Sequence, residues 1–396
     1  MKTGAIFMKT LIYAVMGLFT VECLALNKND KAEQQQWQQF VSRYSKQVET
    51  KLKEKSIPGA ALSIVQGDES YFQKGFGRTK VKKGRKVDAH TRFRLASVSK
   101  TFAGSLTAKL ATEGKIDLDR EISHYLPQAR ESKFENLKVY NLLSHSSGIV
   151  PNAYDNLVES RMSYIDITDK LFDIQPICKP SICYGYQNVM FSLIDRVIQA
   201  KTGLDYKTWV EEFLFAPLGM RDGGVGLKNL TKDKNFAAPH VLGRKRWHTA
   251  RLKSNYYKVL PAAGVNASAA DMVYWLKAQL GHFPEVLSLD ALTVQSRPYV
   301  QTKRELKRRI WRKHVKEAHY GLGWRIYDFE GTLLFYHSGW VQGYRTDIVV
   351  IPSMNIGYSM LLNAESGLIN ELTVEFIKQA IEWKETSTAN AVDEEA

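Results

Sequence analysis

Cysteine is scarce. Three residues in a chain of 396 are too few for a disulfide-dense scaffold or a cysteine-rich zinc fold. Long apolar runs are also missing after the N-terminus. Without a stretch of about 20 such residues, no later helix is expected to span a membrane. The H-E-x-x-H pattern of helical zinc sites is absent and the nine histidines are scattered, so no metal site is expected. No G-x-S-x-G follows a predicted strand, which excludes a lipase-type nucleophile elbow. No internal repeat or nucleic-acid-binding module is evident. No cofactor is implied.

What is present describes a folded protein. The chain is 44% hydrophobic and 24% charged, with mean hydropathy −0.30, ordinary values for a globular domain. Its length suits one large domain of two intimate lobes better than a string of small modules. Residues 1–25 read as an export signal. Lys2 and Lys9 supply the positive end, residues 10–21 a short apolar stretch, and Cys23-Leu24-Ala25 a cleavage region. Met8 is an alternative start. A lipoprotein reading is weaker, because charged Glu22 precedes Cys23. Export places the mature chain in the periplasm or outside the cell; the alternative is a signal that stays in the membrane as an anchor. Two cysteines then remain, Cys178 and Cys183. They are close enough to form a local disulfide in an oxidising compartment, with two free thiols as the alternative.

The formal charge is +14. The basic residues cluster at 78–86, 244–246 and 303–316, the last reading as a helix-like run. Such runs attract anionic envelope polymers or lipids, or simply solvate one face of a helix. No nucleic-acid partner is expected, and the sequence leaves the oligomeric state open.

Hydrophobic periodicity gives a coarse architecture. Residues 30–55 form an amphipathic helix, with Trp37, Phe40, Val41, Tyr44 and Val48 near helical spacing. Strands follow at 60–65 and 70–76, then a helix from about 97 to 113. The region 120–310 is mostly helical with loops. Strands return at 323–327, 332–336, 346–351 and 357–363. A last amphipathic helix covers 366–384, and residues 386–396 read as a polar tail. The simplest arrangement is a single antiparallel sheet built from both ends of the chain, flanked by helices and carrying an inserted helical lobe. In that α/β (α+β) fold the sheet lobe takes about 38–120 and 319–385, and the helical lobe 121–318, within one domain of residues 26–385.

Ser97-Val98-Ser99-Lys100 is the only S-x-x-K in the chain. At a helix start, Ser97 and Lys100 share a face one turn apart. A nucleophile needs such a nearby proton acceptor, together with backbone N–H groups for an oxyanion. Other ordered stretches follow: Leu142-Leu143-Ser144-His145-Ser146-Ser147-Gly148-Ile149, Pro217-Leu218-Gly219-Met220, Pro261-Ala262-Ala263-Gly264 and Ser268-Ala269-Ala270-Asp271-Met272. With these the chain, over residues 38–384, resembles the serine β-lactamase and penicillin-binding-protein superfamily, most closely its class C β-lactamase, DD-peptidase and family VIII esterase branch.

The resemblance implies a Y-x-N element. Tyr186-Gln187-Asn188 suits it better than Tyr154-Asp155-Asn156, because an apolar helix follows Tyr186 whereas Tyr154 lies in a Pro/Asn/Asp loop. It also implies K-[ST]-G or a variant on a strand. Lys201-Thr202-Gly203 matches literally but reads as a helix C-terminus. His337-Ser338-Gly339 closes an apolar strand, and Gly339 permits close backbone approach. A satisfied core histidine is the alternative for His337.

By resemblance, Ser97 is the nucleophile and Lys100 and Tyr186 share the proton work. The backbone N–H groups of Ser97 and Trp340 hold the oxyanion, and Asn188 orients a substrate amide. His337, Ser338 and Arg345 face a polar end of the substrate. Which of Lys100 and Tyr186 is the base stays open. So does the substrate, a small molecule or peptidoglycan-derived: D-amino-acid peptides, β-lactams and small esters all fit. A catalytically idle envelope-binding protein using the same groove is the alternative.

Overall fold

In a computed structural model of the chain, residues 28–393 are described; the export signal expected over residues 1–25 lies outside them. Eight strands form one antiparallel sheet: β1 (Gly59–Gln66), β2 (Ser70–Gly77), β3 (Val300–Gln301), β4 (Val315–Tyr320), β5 (Arg325–Phe329), β6 (Thr332–Val341), β7 (Tyr344–Ile351) and β8 (Ile356–Leu362). Their spatial order is β2-β1-β8-β7-β6-β5-β4-β3. Strand β1, from the N-terminal part of the chain, therefore pairs with β8, the last strand, in register from Ala60↔Leu362 to Gln66↔Ile356. This is the sheet from both ends of the chain that periodicity suggests.

Both faces of the sheet are covered, which explains why its central strands read as nearly continuous apolar runs. Successive side chains alternate between two cores. Ala60, Leu62 and Ile64 of β1 and Val349 and Ile351 of β7 pack on one side. Ala61 and Val65, with Ile348 and Val350, pack on the other. Two long terminal helices cover the first side, α1 (Lys28–Glu54) and the C-terminal Leu368–Asp393. Tyr44 of α1 donates from its hydroxyl to the Leu372 carbonyl at 2.8 Å. The second side carries the helical insertion, with α2 (Ser99–Thr112) at its centre. Nearly every α2 residue is buried, so this helix has no polar face to solvent.

Three expectations need correction. The 303–316 run is not a helix. It breaks into 3₁₀ turns at Glu305–Lys307 and Trp311–Lys313 and then enters β4. The reason is inward demand: Trp311 is buried, and Arg308 turns under the sheet to reach the hydroxyls of Tyr327 and Tyr336 at 3.5 and 3.4 Å. The tail is not free over its length, because the last helix continues to Asp393. Its extension lies beside α1, where Ser387 donates to Gln36 at 3.1 Å. Finally, α2 starts at Ser99, and Ser97 sits in a preceding 3₁₀ turn, Ala96–Val98. The Leu95 N–H is held by the Val265 carbonyl at 3.0 Å, so the chain must swing sharply from an extended stretch into the helix.

Candidate active site

The turn that presents Ser97 is locally strained. Ala96 has φ 49°, a left-handed conformation that non-glycine residues rarely hold without surrounding support. Support comes from the sheet. Thr346 of β7 donates to the Leu95 carbonyl at 2.7 Å. A Cβ on Gly339 of β6 would collide with Leu95 O and Thr346 Oγ1, so only glycine lets the strand close on the serine turn. Within residues 91–100, Ser97 is the one residue that is not fully buried.

One turn into α2, Lys100 is completely buried. Its Nζ donates to Asn188 Oδ1 at 2.8 Å and to the Ala262 carbonyl at 3.1 Å. It lies 4.7 Å from the centre of the Tyr186 ring and 5.3 Å from that of Phe191. Desolvation, with the Arg325 cation adding to it and Asp155 opposing it, holds the ammonium well below the usual lysine range.

The Tyr186 phenol lies toward the Ser97 hydroxyl, which favours its ionised form. Desolvation pushes the phenol up to about 12, against the lowering effects of Arg325 and Ser97. The Arg325 guanidinium stands 5.6 Å from the Tyr186 ring centre. Asn188 follows two residues later and leads into a short helix, Val189–Ser192, and then α3 (Ile194–Thr202). Its Nδ2 donates to both carboxylate oxygens of Asp155, at 2.9 and 3.2 Å. Desolvation raises Asp155 to about 6. An unbroken chain therefore runs from Asp155 through Asn188 to Lys100.

His337 is fully buried on β6. Its Nδ1 lies 3.0 Å from the Ser338 carbonyl, which can only accept, so Nδ1 carries the proton. Nε2 therefore accepts the Tyr320 hydroxyl, 2.8 Å away. Burial, then Arg325 and Lys100, keep the imidazole well below its ordinary value. The ring is neutral with both nitrogens used inside the protein, and its centre lies 6.4 Å from that of Tyr186.

Strand β6 has two partners only in part. Pairing with β5 ends at Arg325↔Tyr336, while pairing with β7 continues to Val341↔Tyr344. The edge from His337 to Val341 is thus open on one side. Alternation places His337 and Gly339 toward the serine turn. Ser338 and Trp340 face the other way, on the side of their register partners Asp347 and Arg345. Arg345 stacks over the Trp340 ring at 4.5 Å, and Trp340 is 59% exposed.

The structure thus brings Ser97, Lys100, Tyr186, Asn188, His337 and Gly339 together and sets Ser338, Trp340 and Arg345 around the strand's far side. The alternative motifs lie elsewhere in role. Gly203 caps α3 with φ 77°, and Tyr154 caps Asp155–Glu159. Three site residues escaped the sequence reading. Asp155 lies in Tyr154-Asp155-Asn156, the alternative Y-x-N match, and it holds Asn188 of Tyr186-Gln187-Asn188. His145, inside the Leu142–Ile149 stretch, accepts the Gln187 N–H at 3.1 Å and packs 4.3 Å from the Tyr186 ring centre. Arg325 has no local signal; only the sheet register carries it to Tyr186. Its Nε is 3.3 Å from Glu305 Oε2, close enough for ion pairing but without hydrogen-bond alignment.

The protein-family profile described as Beta-lactamase matches residues 30–374. The chain belongs to the β-lactamase family. Structures that share its fold include the octameric penicillin-binding protein homologue from Pyrococcus abyssi, with TM-score 0.72 and 24% identity over 82% of this chain and 74% of that one. A class C β-lactamase gives TM-score 0.70 at 17% identity, covering 87% and 96%. A penicillin-binding protein from Bacillus halodurans gives 0.69 at 22%, covering 83% and 98%. Among curated sequences, Protein flp of Staphylococcus aureus strain MRSA252 is 26% identical over 346 residues, 86% of this chain. The chain spans about 66% of that relative's length. As a β-lactamase-family chain it has the mixed fold of a large antiparallel sheet with helices, and the superfamily's general chemistry is that of serine hydrolases.

Proposed function

We propose that this chain hydrolyses an acyl bond through Ser97. The observation that carries the reading is the buried Lys100 amine, one turn beyond the partly exposed Ser97 and 4.7 Å from the centre of the Tyr186 ring. A neutral lysine has two N–H bonds and one lone pair. Lys100 directs its donors to Asn188 and Ala262, which leaves the lone pair to accept. Ser97 Oγ attacks the substrate carbonyl, and its proton passes by way of the Tyr186 hydroxyl to Lys100. The N–H groups of Ser97 and Trp340 stabilise the oxyanion at the junction of the serine turn and the open β6 edge. Collapse expels the leaving group, which takes the proton back, and water then hydrolyses the Ser97 ester.

A neutral His337 provides no fixed cation for a substrate carboxylate, which favours small esters, and peptides without a free carboxylate beside the scissile bond, over β-lactams. Ser338 and Arg345, on the face of the sheet turned away from Ser97, are given no substrate contact in this reading. The bonded Cys178–Cys183 pair supports an exported, oxidised setting. The test is turnover of nitrocefin, a p-nitrophenyl ester and a D-Ala-D-Ala peptide, with fluorophosphonate labelling in parallel. We expect Ser97→Ala to lose labelling and turnover while keeping its thermal midpoint. Labelling of that variant at the native level excludes Ser97 as nucleophile, and no turnover by the native chain on the whole panel favours an idle binding protein.

A further inference from the structure

Two basic segments that are some 160 residues apart in sequence meet in space. The 78–86 loop and the tip of the hairpin His240–Leu242/Trp247–Thr249 close around a cleft of about 860 Å³ together with the C-terminal end of α1. Six cations line it: Lys55, Lys80, Lys82, Lys83, Lys245 and Arg246. All are exposed. None is in an ion pair among the described residues, and Glu54 is the one carboxylate in the lining. Like charges so close together repel, so the cleft holds an arrangement that an anion would relieve.

The walls are fixed to one another. Trp247 Nε1 donates to the Lys55 carbonyl at 3.1 Å, joining the hairpin to α1. The Val81 N–H donates to His240 Nε2 at 3.2 Å, joining the loop to the hairpin base. Their cations therefore line a cleft whose walls are already joined, which lowers the ordering cost of binding.

We propose that this cleft binds a linear phosphate-bearing polyanion. Density of charge is the first argument, because six cations in one cleft call for closely spaced negative groups. Tetrahedral geometry is the second. The non-bridging oxygens of a phosphate point in different directions and can bridge ammonium groups on opposite walls, whereas both oxygens of a carboxylate point the same way. Concavity argues against a bilayer, whose flat surface would touch only the rims. The scarcity of aromatic platforms argues against single-stranded nucleic acid, since such binding stacks successive bases on aromatic faces, whereas Trp247 is 8% exposed and His248 offers a single exposed ring.

The probe is inorganic polyphosphate, titrated into the full-length chain by calorimetry at about 50 mM salt. Affinity should fall by roughly 10²-fold between about 50 and 200 mM salt, as expected when several cations release counterions. Reversing three cleft charges together (Lys82→Glu, Lys83→Glu, Lys245→Glu) should weaken binding at least ~10-fold. A matched reversal on the other basic segment (Arg309→Glu, Arg312→Glu, Lys313→Glu) should leave it within about twofold. Should the cleft triple fail to fold, neutral Gln replacements at the same three positions take its place. Equal losses in the two triples would mean that net charge, not the cleft, binds the polymer, and would overturn the proposal. So would binding of polyglutamate, phosphatidylglycerol vesicles or oligo-dT as tightly as polyphosphate.

Discussion

A phenol pushed up to about 12 is almost wholly protonated at neutral pH. In the proposed mechanism Tyr186 therefore relays a proton better than it stores one, and storage falls to the desolvated amine of Lys100. Tyr186→Phe is expected to slow turnover at least ~10²-fold, the usual scale of general acid–base catalysis, whereas Tyr154→Phe should leave it near the native rate. Asp155 makes Lys100 more basic, so Asp155→Asn should lower the amine further. If the neutral amine is the base, as proposed, the acid limb of kcat/KM should move to lower pH. A limb that stays in place while the rate falls would reduce Asp155 to a packing role. His337 offers the converse test. Its ring is already neutral and committed to Tyr320 and Ser338, so His337→Gln should leave the shape of the pH profile unchanged through the ordinary imidazole range near pH ~6.5.

At the scale of elements, the open edge of β6 and the serine turn act as one part. Gly339→Ala places a methyl group against Leu95 O and Thr346 Oγ1. We expect a loss of about 1–3 kcal/mol, typical of overpacking, measured by urea denaturation, together with reduced acylation as the turn is displaced. Cys178 and Cys183 close a short loop, with a sequence separation of 5. Reduction should cost about 2 kcal/mol by loop entropy. Most elements were legible from period alone, because strands buried on both faces and amphipathic terminal helices leave strong patterns. The 303–316 run was not. Its charges are spaced like a helix face, yet Arg308 and Trp311 belong to a tertiary packing site under the sheet. Nor was the strained turn before α2 legible, since Ala96 has nothing in its chemistry that calls for a positive φ.

The molecule as a whole is two cores divided by one sheet, and a carboxyl desolvated at the edge of a core ties its stability to pH. Asp195 accepts the Tyr164 hydroxyl at 2.9 Å, and desolvation raises it from 3.8 to about 7. The folded state thus holds a proton that the unfolded state releases between those values, and the carboxyl's contribution to stability is lost as pH rises across that window. Asp195→Asn removes the titration. Its thermal midpoint relative to the native chain should rise from pH ~4 to ~7 and then level off. A constant offset at pH 5 and pH 8 would show that Asp195 does not titrate in this range.

The sequence by itself determined the residue types of the candidate site, the order of its motifs and the alternation that makes the sheet, because these depend on near neighbours and on regular spacing. Only the tertiary structure decided that Asp155 and Arg325 belong beside Lys100 and Tyr186, that His337 is spent within the protein, and that two remote basic segments form one cleft. Each depends on strand register and on desolvation, and neither is a property of any short stretch of chain.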